Sequence, residues 1–429
     1  MSALQVVEEI NRSGLDPLVA RLDDILAELR AAIDDISEVA DADRIDRISA
    51  LERLRGATAA LQLAECVRFG QSQVAEQLAA DVHPRAIGRG VADQIALACR
   101  ISPFSGSRRL GVARALWFDL PHTYAALTAG ELSEHRAETV VTETRHLSTP
   151  TRRAVDLQVM AAGIATMGTR SAAACIRRHA YAADPQGYLE RSRTERKNRR
   201  VGLRPAPDTM AILTGYLPVE QGVACYAALR RQTDATVADG DPRTRDQIMA
   251  DLLVERLTGQ SRAQDVSFEV QLLMPLDSLT DPAGGRASDL PGYGPLPPDL
   301  VREMVSSSRG RSWWRRLFTG PGGQLVGGDP HRRRFDGWLG KLIGLRDQSC
   351  RDPYCDAAIR HHDHVSGWAT GGATTLANGR GTCARGNYVR EMPGWRVDVV
   401  DRGQQSGPHT TVTTTPTGHH YLSRAPAPP

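Results

Sequence analysis

Lysine is almost missing from this chain. Of its 53 basic residues, only Lys197 and Lys341 are lysines, and all the others are arginines. The bias fits a GC-rich coding sequence. It still matters where arginines cluster, because a planar guanidinium grips phosphate bidentately. Aromatic residues are also scarce, at 5%, which argues against an aromatic-rich β-sandwich and points to helices packed through Ala, Leu and Val. No apolar run reaches the ~18 residues that a membrane-spanning helix needs. The first residues, with Glu8, Glu9 and Arg12, lack the apolar stretch of a secretory signal. Seven cysteines, an odd number without such a signal, argue against a disulfide framework. A cytoplasmic protein without a membrane partner is expected.

The chain is 429 residues long, 41% hydrophobic and 24% charged, which suits a soluble protein of two or three domains. The formal net charge of +3 is unevenly spread. Residues 301–429 hold 18 basic against 10 acidic residues, while the first 300 sum to a negative charge. A basic C-terminal third is what phosphate binding requires.

Apolar positions at Leu15, Leu18, Leu22, Ile25, Leu29 and Ile33 predict an amphipathic helix over 15–35. Ile45, Ile48, Leu51, Leu54 and Leu61 predict a longer one over about 43–77. The two read as an antiparallel pair and are the candidate surface for a homo-oligomer. Further helices follow, with Pro121 as a start, Gly130 as a stop and Ser133 as a cap. Residues 150–182 are helical. The basic run 191–204 reads mainly as a solvated face. A hairpin is expected over 201–217, helices over 218–233 and 244–257, and a strand over Val266–Met274. Residues 275–298 have the Pro, Gly and Asp content of a linker, and Asp299 can cap a helix to Ser308. The segment 311–335 interleaves arginines with Trp313, Trp314 and Phe318, a composition suited to gripping a nucleic-acid strand by charge and stacking.

The densest chemistry lies between Cys350 and Asn387: Cys350-Arg351-Asp352-Pro353-Tyr354-Cys355, then Arg360-His361-His362-Asp363-His364-Val365, Gly371-Gly372-Ala373-Thr374-Thr375, Asn378, Cys383 and Asn387. Phosphodiester hydrolysis needs a base for water and a cation for developing charge. Asp363 can hold a hard divalent cation. His364 can take a proton near neutrality. Gly371-Gly372 permits a sharp return, Asn378 can tie that loop to the backbone and orient the imidazole, and the Asn387 amide oxygen can supply a second ligand.

The stretch from about Arg346 to Trp395 resembles the HNH endonucleases, whose ββα-metal (His-Me finger) fold carries this order of elements. Asp363-His364 stands at the first motif pair, Asn378 is the middle Asn, and Asn387 stands where many members have the last His. The resemblance implies that His364 is the general base, with Asn378 beside it as the second catalytic residue. It also implies that Asp363 and Asn387 hold one divalent cation (Mg or Mn), which stabilises the leaving 3′ oxygen, and that DNA is the substrate. The N-terminal helices and Gly292-Tyr293-Gly294-Pro295-Leu296 look like the domain of unknown function number 222, which commonly precedes an HNH module in the 13E12 repeat family. Asp352-Pro353, Asp363-His364-Val365, Gly371-Gly372-Ala373-Thr374, Asn378-Gly379 and Pro393-Gly394-Trp395 sit in that family's order.

Such modules often bind a structural zinc through four cysteines. Cys350, Cys355 and Cys383 are the candidates here, but Gly386 stands where the fourth Cys would be. Three thiolates do not close a tetrahedral structural site. Either His361 or His362 completes it, or the three are reduced cysteines of a small core.

The expected architecture is therefore a mainly α N-terminal domain with small β-hairpin elements over 1–280, then a linker and Arg/Trp-rich connector over 281–340. A ββα-metal HNH module over 341–418 follows, including a hairpin of 395–400 and 410–415 that Trp395 packs against the module, and then a disordered tail over 419–429. Arg332, Arg333, Arg334 and Arg360 are the candidate nucleic-acid contacts. The expected function is metal-dependent hydrolysis of DNA. The alternative is a degenerate HNH protein that binds nucleic acid without cleaving it.

Overall fold

The computed structural model describes residues 16–34, 38–259, 288–290, 294–307, 335, 337–403 and 407–426. It is mainly helical with small antiparallel sheets. Two compact units divide the chain: residues 1–189 with 327–425, and residues 190–326 with 426–429. No helix among the described residues is long and apolar enough to cross a membrane.

The first unit opens with α1 (Pro17–Asp34), α2 (Asp41–Ala79), α3 (Val91–Ala98), α4 (Pro103–Asp119), α5 (Pro121–Thr128), α6 (Glu134–Thr144), α7 (Thr149–Ala161) and α8 (Thr169–Ala183); α9 (Pro185–Lys197) crosses the division. Proline occupies the first turn of α4, α5 and α7, where its missing N–H costs no helical bond. Ser133 precedes α6 but makes no side-chain cap bond.

The core gathers Leu63 and Val67 of α2, Ile95 of α3, Leu116 of α4, Leu127 of α5, Val140 of α6, Val159 of α7 and Ile176 of α8. Gly106 makes one close crossing feasible. A Cβ there would lie 2.5 Å from the Ala92 carbonyl oxygen and 2.5 Å from Ala96 Cβ, so α4 lies directly on α3. Leu18, Leu22 and Ile25 of α1 and Ile45, Ile48 and Leu51 of α2 are all exposed. The stripes that predict a packed pair thus face solvent in both helices.

In the second unit, β1 (Arg200–Pro205) and β2 (Ala211–Tyr216) form the expected hairpin, with Arg200 opposite Tyr216. α10 (Val219–Ala238) and α11 (Arg245–Thr258) pack together, and Thr244 with Gln247 forms a capping box at the start of α11. A short hairpin, β3 (Ser288–Leu290) and β4 (Gly294–Leu296), leads to α12 (Pro298–Ser307). The expected strand over 266–274 and the aromatic connector with Trp313, Trp314 and Phe318 lie outside the described residues.

The chain then returns to the first unit. α13 (Gly337–Asp347) lies on a two-stranded antiparallel sheet of β5 (His361–His364) and β6 (Gly379–Thr382), which is followed by α14 (Ala384–Val389). A three-stranded sheet, β7 (Arg396–Asp401), β8 (Thr410–Thr414) and β9 (His420–Arg424), ends the unit. The third strand corrects the expectation of a tail from 419. A turn in which the Thr415 N–H bonds the His419 carbonyl at 3.0 Å sends the chain back so that Thr410 faces Arg424 and Thr414 faces His420. The Pro- and Ala-rich ending masks this strand in the sequence.

Candidate functional site

The framework of the site is α13 against the β5–β6 hairpin. Phe335, Leu339 and Ile343 form a small core there. Asp347 at the end of α13 is fully buried. It accepts from Arg346 Nε at 2.7 Å, Arg351 Nη1 at 2.9 Å and the Gly381 main-chain N–H at 2.7 Å. Burial works to raise its pKa, but the two guanidiniums and the Gly381 N–H outweigh it and hold the carboxyl below its usual range. One carboxylate thus joins α13, the loop after it and β6. Arg351 also donates to the His409 and Ser423 carbonyls at 2.9 and 2.8 Å, which ties in the three-stranded sheet.

Asp363 and His364 end β5, and strand alternation turns them to opposite faces. His364 is buried, with its ring centroid 4.4 Å from that of Phe335 and 6.0 Å from that of Trp368. Its Nε2 is 2.8 Å from Thr374 Oγ1. Burial lowers its pKa from the ordinary value; Asp363 works against that and Arg390 adds to it. The imidazole is therefore neutral at pH 7. Asp363 Oδ1 accepts the His364 main-chain N–H at 2.8 Å, and Oδ2 accepts Arg390 Nη1 at 2.5 Å.

Asn378 closes the loop between the strands. Its Oδ1 accepts the Ser366 N–H at 2.8 Å, and its Nδ2 donates to the Ser366 and Ala373 carbonyls at 3.0 and 2.8 Å. The side chain is fully used in holding the segment that presents Thr374 to His364. Asn387 is half-buried on α14, and its side-chain amide has no hydrogen bond among the described residues. It stands three residues before Arg390, hence on the same side of the helix, the side from which Arg390 reaches Asp363.

The sulfurs of Cys350, Cys355 and Cys383 lie within 4.8 Å of one another, and this group could hold a metal ion. Cys383 caps α14. The Cys350 and Cys355 thiols, then the main-chain N–H groups of Gly386 and Arg385, pull its pKa below the usual thiol range, while hydrogen bonding with Cys355 and Cys383, and then burial, push Cys350 up. Neither His361 nor His362 joins the group. At Gly386 an added Cβ would sit 1.5 Å from Asp352 Oδ2. The carboxylate of Asp352, held through Oδ1 by buried Arg380 at 2.9 Å, fills the space that a fourth cysteine would need.

The same short helix is anchored in the helical body. Arg385 pairs with both carboxylate oxygens of Asp93 on α3, at 2.6 and 2.8 Å, and donates to the Pro103 carbonyl at 2.9 Å and to Ser107 Oγ of α4 at 2.7 Å. Thr417 donates to Gln94 at 3.0 Å. Trp395 reaches Gly90, just before α3.

Of the candidates from sequence, His364, Asp363 and Asn378 come together at the end of β5, Asn387 stands on the adjacent helix, and the three cysteines cluster. Arg360 is exposed, with its main-chain N–H bonded to the Thr382 carbonyl at 2.8 Å. Arg332, Arg333 and Arg334 lie outside the described residues. The sequence alone assigns no role to Thr374 or Arg390. Thr374 lies in the Gly-Gly-Ala-Thr-Thr run, whose glycines read only as a turn. The i, i+3 spacing of Arg390 from Asn387 is the available signal for the other.

Comparison with curated proteins and with solved structures gives no match. The family model described as "Domain of unknown function (DUF222)" matches residues 48–335 and ends before α13. That match spans more than half of the chain, from the early turns of α2 to Phe335, and the chain belongs to the DUF222 family.

Proposed function

We propose that residues 341–418 form an HNH-type nuclease module that hydrolyses DNA phosphodiester bonds and is braced by the DUF222 helical body. The observation that carries this reading is the setting of His364: a buried imidazole with Nε2 2.8 Å from Thr374 Oγ1, next in the chain to a carboxylate, at the mouth of a loop fixed by Asn378. In the tautomer that donates Nε2–H to Thr374, Nδ1 keeps the lone pair and would take a proton from the attacking water. Asn378 keeps Thr374 in place and so acts through the loop. The oxygen donors of Asp363 and Asn387 fit a hard cation such as Mg²⁺ or Mn²⁺, and these two residues would hold it. Such a cation would neutralise the charge that develops on the leaving 3′ oxygen.

The cysteine group suits a soft metal such as zinc. Position 386 supplies no fourth ligand, so any zinc held there depends on three sulfurs.

A second reading, a degenerate HNH protein that binds nucleic acid without cleaving it, is favoured by the pairing of Asp363 with Arg390. Incubation of supercoiled plasmid with Mg²⁺, Mn²⁺ or chelator separates the two. The nuclease reading expects nicking or linearisation with either cation and none with chelator. Salt-sensitive DNA binding with no cleavage under any condition would establish the second reading.

A further inference from the structure

Arg390 already supplies positive charge to Asp363. Its Nη1 is 2.5 Å from Asp363 Oδ2 and also donates to the His364 carbonyl, while Nη2 is 3.3 Å from the Val365 carbonyl. Asp363 Oδ1 accepts the His364 N–H, so both carboxylate oxygens are engaged. The pair is largely sheltered, at 13% and 19% side-chain exposure, so solvent screens it less than an open surface pair. A divalent cation brought to the same carboxylate would meet the guanidinium at close range and be repelled by it.

We infer that Arg390 is a resident counter-ion that gates the candidate metal position, with guanidinium and divalent cation competing for Asp363 Oδ2. This rests on the HNH reading of Asp363. Arg390 is the residue that ends α14, so its side chain can leave without unwinding the helix. It also has somewhere to go: it borders a cleft whose walls include Asp93, Pro103, Asp352, Gly386 and Trp395. The two carboxylates among them are already paired, Asp93 with Arg385 and Asp352 with Arg380, so what the cleft offers the displaced side chain is space.

The test is Mn²⁺ binding to the full-length protein, read from the free-ion electron paramagnetic resonance signal, for the wild type, Arg390→Gln, Arg390→Lys and Asp363→Asn. Arg390→Gln should bind Mn²⁺ at least about tenfold more tightly than the wild type, a gain of about 1.4 kcal/mol. Arg390→Lys, which keeps the charge but not the fork, should fall between them, and Asp363→Asn should remove the site in either background. Damage to the fold would weaken binding, so tighter binding cannot come from it. If the Gln variant does not fold, the Lys variant tests the same competition through a smaller gain. Affinity equal to or below the wild type in either folded variant would overturn the inference and leave the metal reading standing. Absence of Mn²⁺ binding in the wild type and the folded variants alike would overturn both.

Discussion

At the scale of single residues, neighbours in the chain have opposite tasks. His364 is kept neutral by burial and aimed by Thr374, whereas Asp363 is paired with the guanidinium of Arg390. Gly386 shows how one residue reorganises its surroundings. Its missing side chain leaves room for Asp352, whose carboxylate in turn satisfies part of a guanidinium at Arg380 that is fully buried. Restoring a cysteine there is therefore not a simple repair. Gly386→Cys should destabilise the protein by about 1–3 kcal/mol, the usual cost of overpacking, and Asp352→Ala should worsen it by leaving Arg380 unpaired. Denaturant unfolding of both variants checks this; an unchanged or raised midpoint for Gly386→Cys would show that the space is free. Much of this site is legible in the sequence, because Asp363, His364, Asn378 and the cysteines are chemically competent types at short spacing. Thr374, Arg390 and the Asp352–Arg380 pair are not. Their roles depend on which face of a loop or helix they present, and only packing decides that.

At the scale of elements, α14 is a six-residue helix secured at both ends. Arg385 at its start joins it to α3 and α4, and Arg390 at its end joins it to β5. Arg385→Ala removes the partner of Asp93, whose side chain is 10% exposed, and should cost about 2–4 kcal/mol. Arg385→Lys, with one point charge in place of a fork, should recover part of that loss; thermal or denaturant unfolding reads both.

The β7–β8–β9 sheet carries a pH dependence of its own. Burial pushes the His409 pKa down to about 4, with the nearby Arg346 charge adding to the shift. Its Nε2 is 2.9 Å from the Ala377 carbonyl, so the neutral ring bridges the sheet to the site loop. The unfolded chain takes up a proton near pH 6.5 and the folded one only near 4, so stability present above 6.5 is lost as pH falls to about 4. The loss from this group is about 3 kcal/mol. Unfolding midpoints from about pH 7.5 to 4 should fall accordingly, and His409→Gln should flatten that slope; an equal slope in the variant would remove His409 as its source. The helices are readable from periodicity and proline position, but β9 is not. A short strand between a Thr-rich turn and a Pro-rich end carries too little pattern, and it pairs because β8 offers an open edge.

At the scale of the whole molecule, the helical body over residues 1–189 and the C-terminal module share one compact unit, although the DUF222 match ends before the module begins. Composition foretells a helical body and a basic final third. It cannot foretell that Asp93, Gln94 and Gly90 of the body meet Arg385, Thr417 and Trp395, residues far along the chain. This contact gives the body a physical part in the proposed chemistry, since α14 carries Asn387 and is held from the body's side. The most direct measurement is the rate of Mg²⁺-dependent plasmid cleavage by the full-length protein beside His364→Ala. The nuclease assignment expects cleavage by the wild type and a loss of about 10²–10⁴-fold in the variant, the range for a removed general base. Equal rates in the two proteins would contradict His364 as the base, and no cleavage by the folded wild type would contradict the nuclease itself.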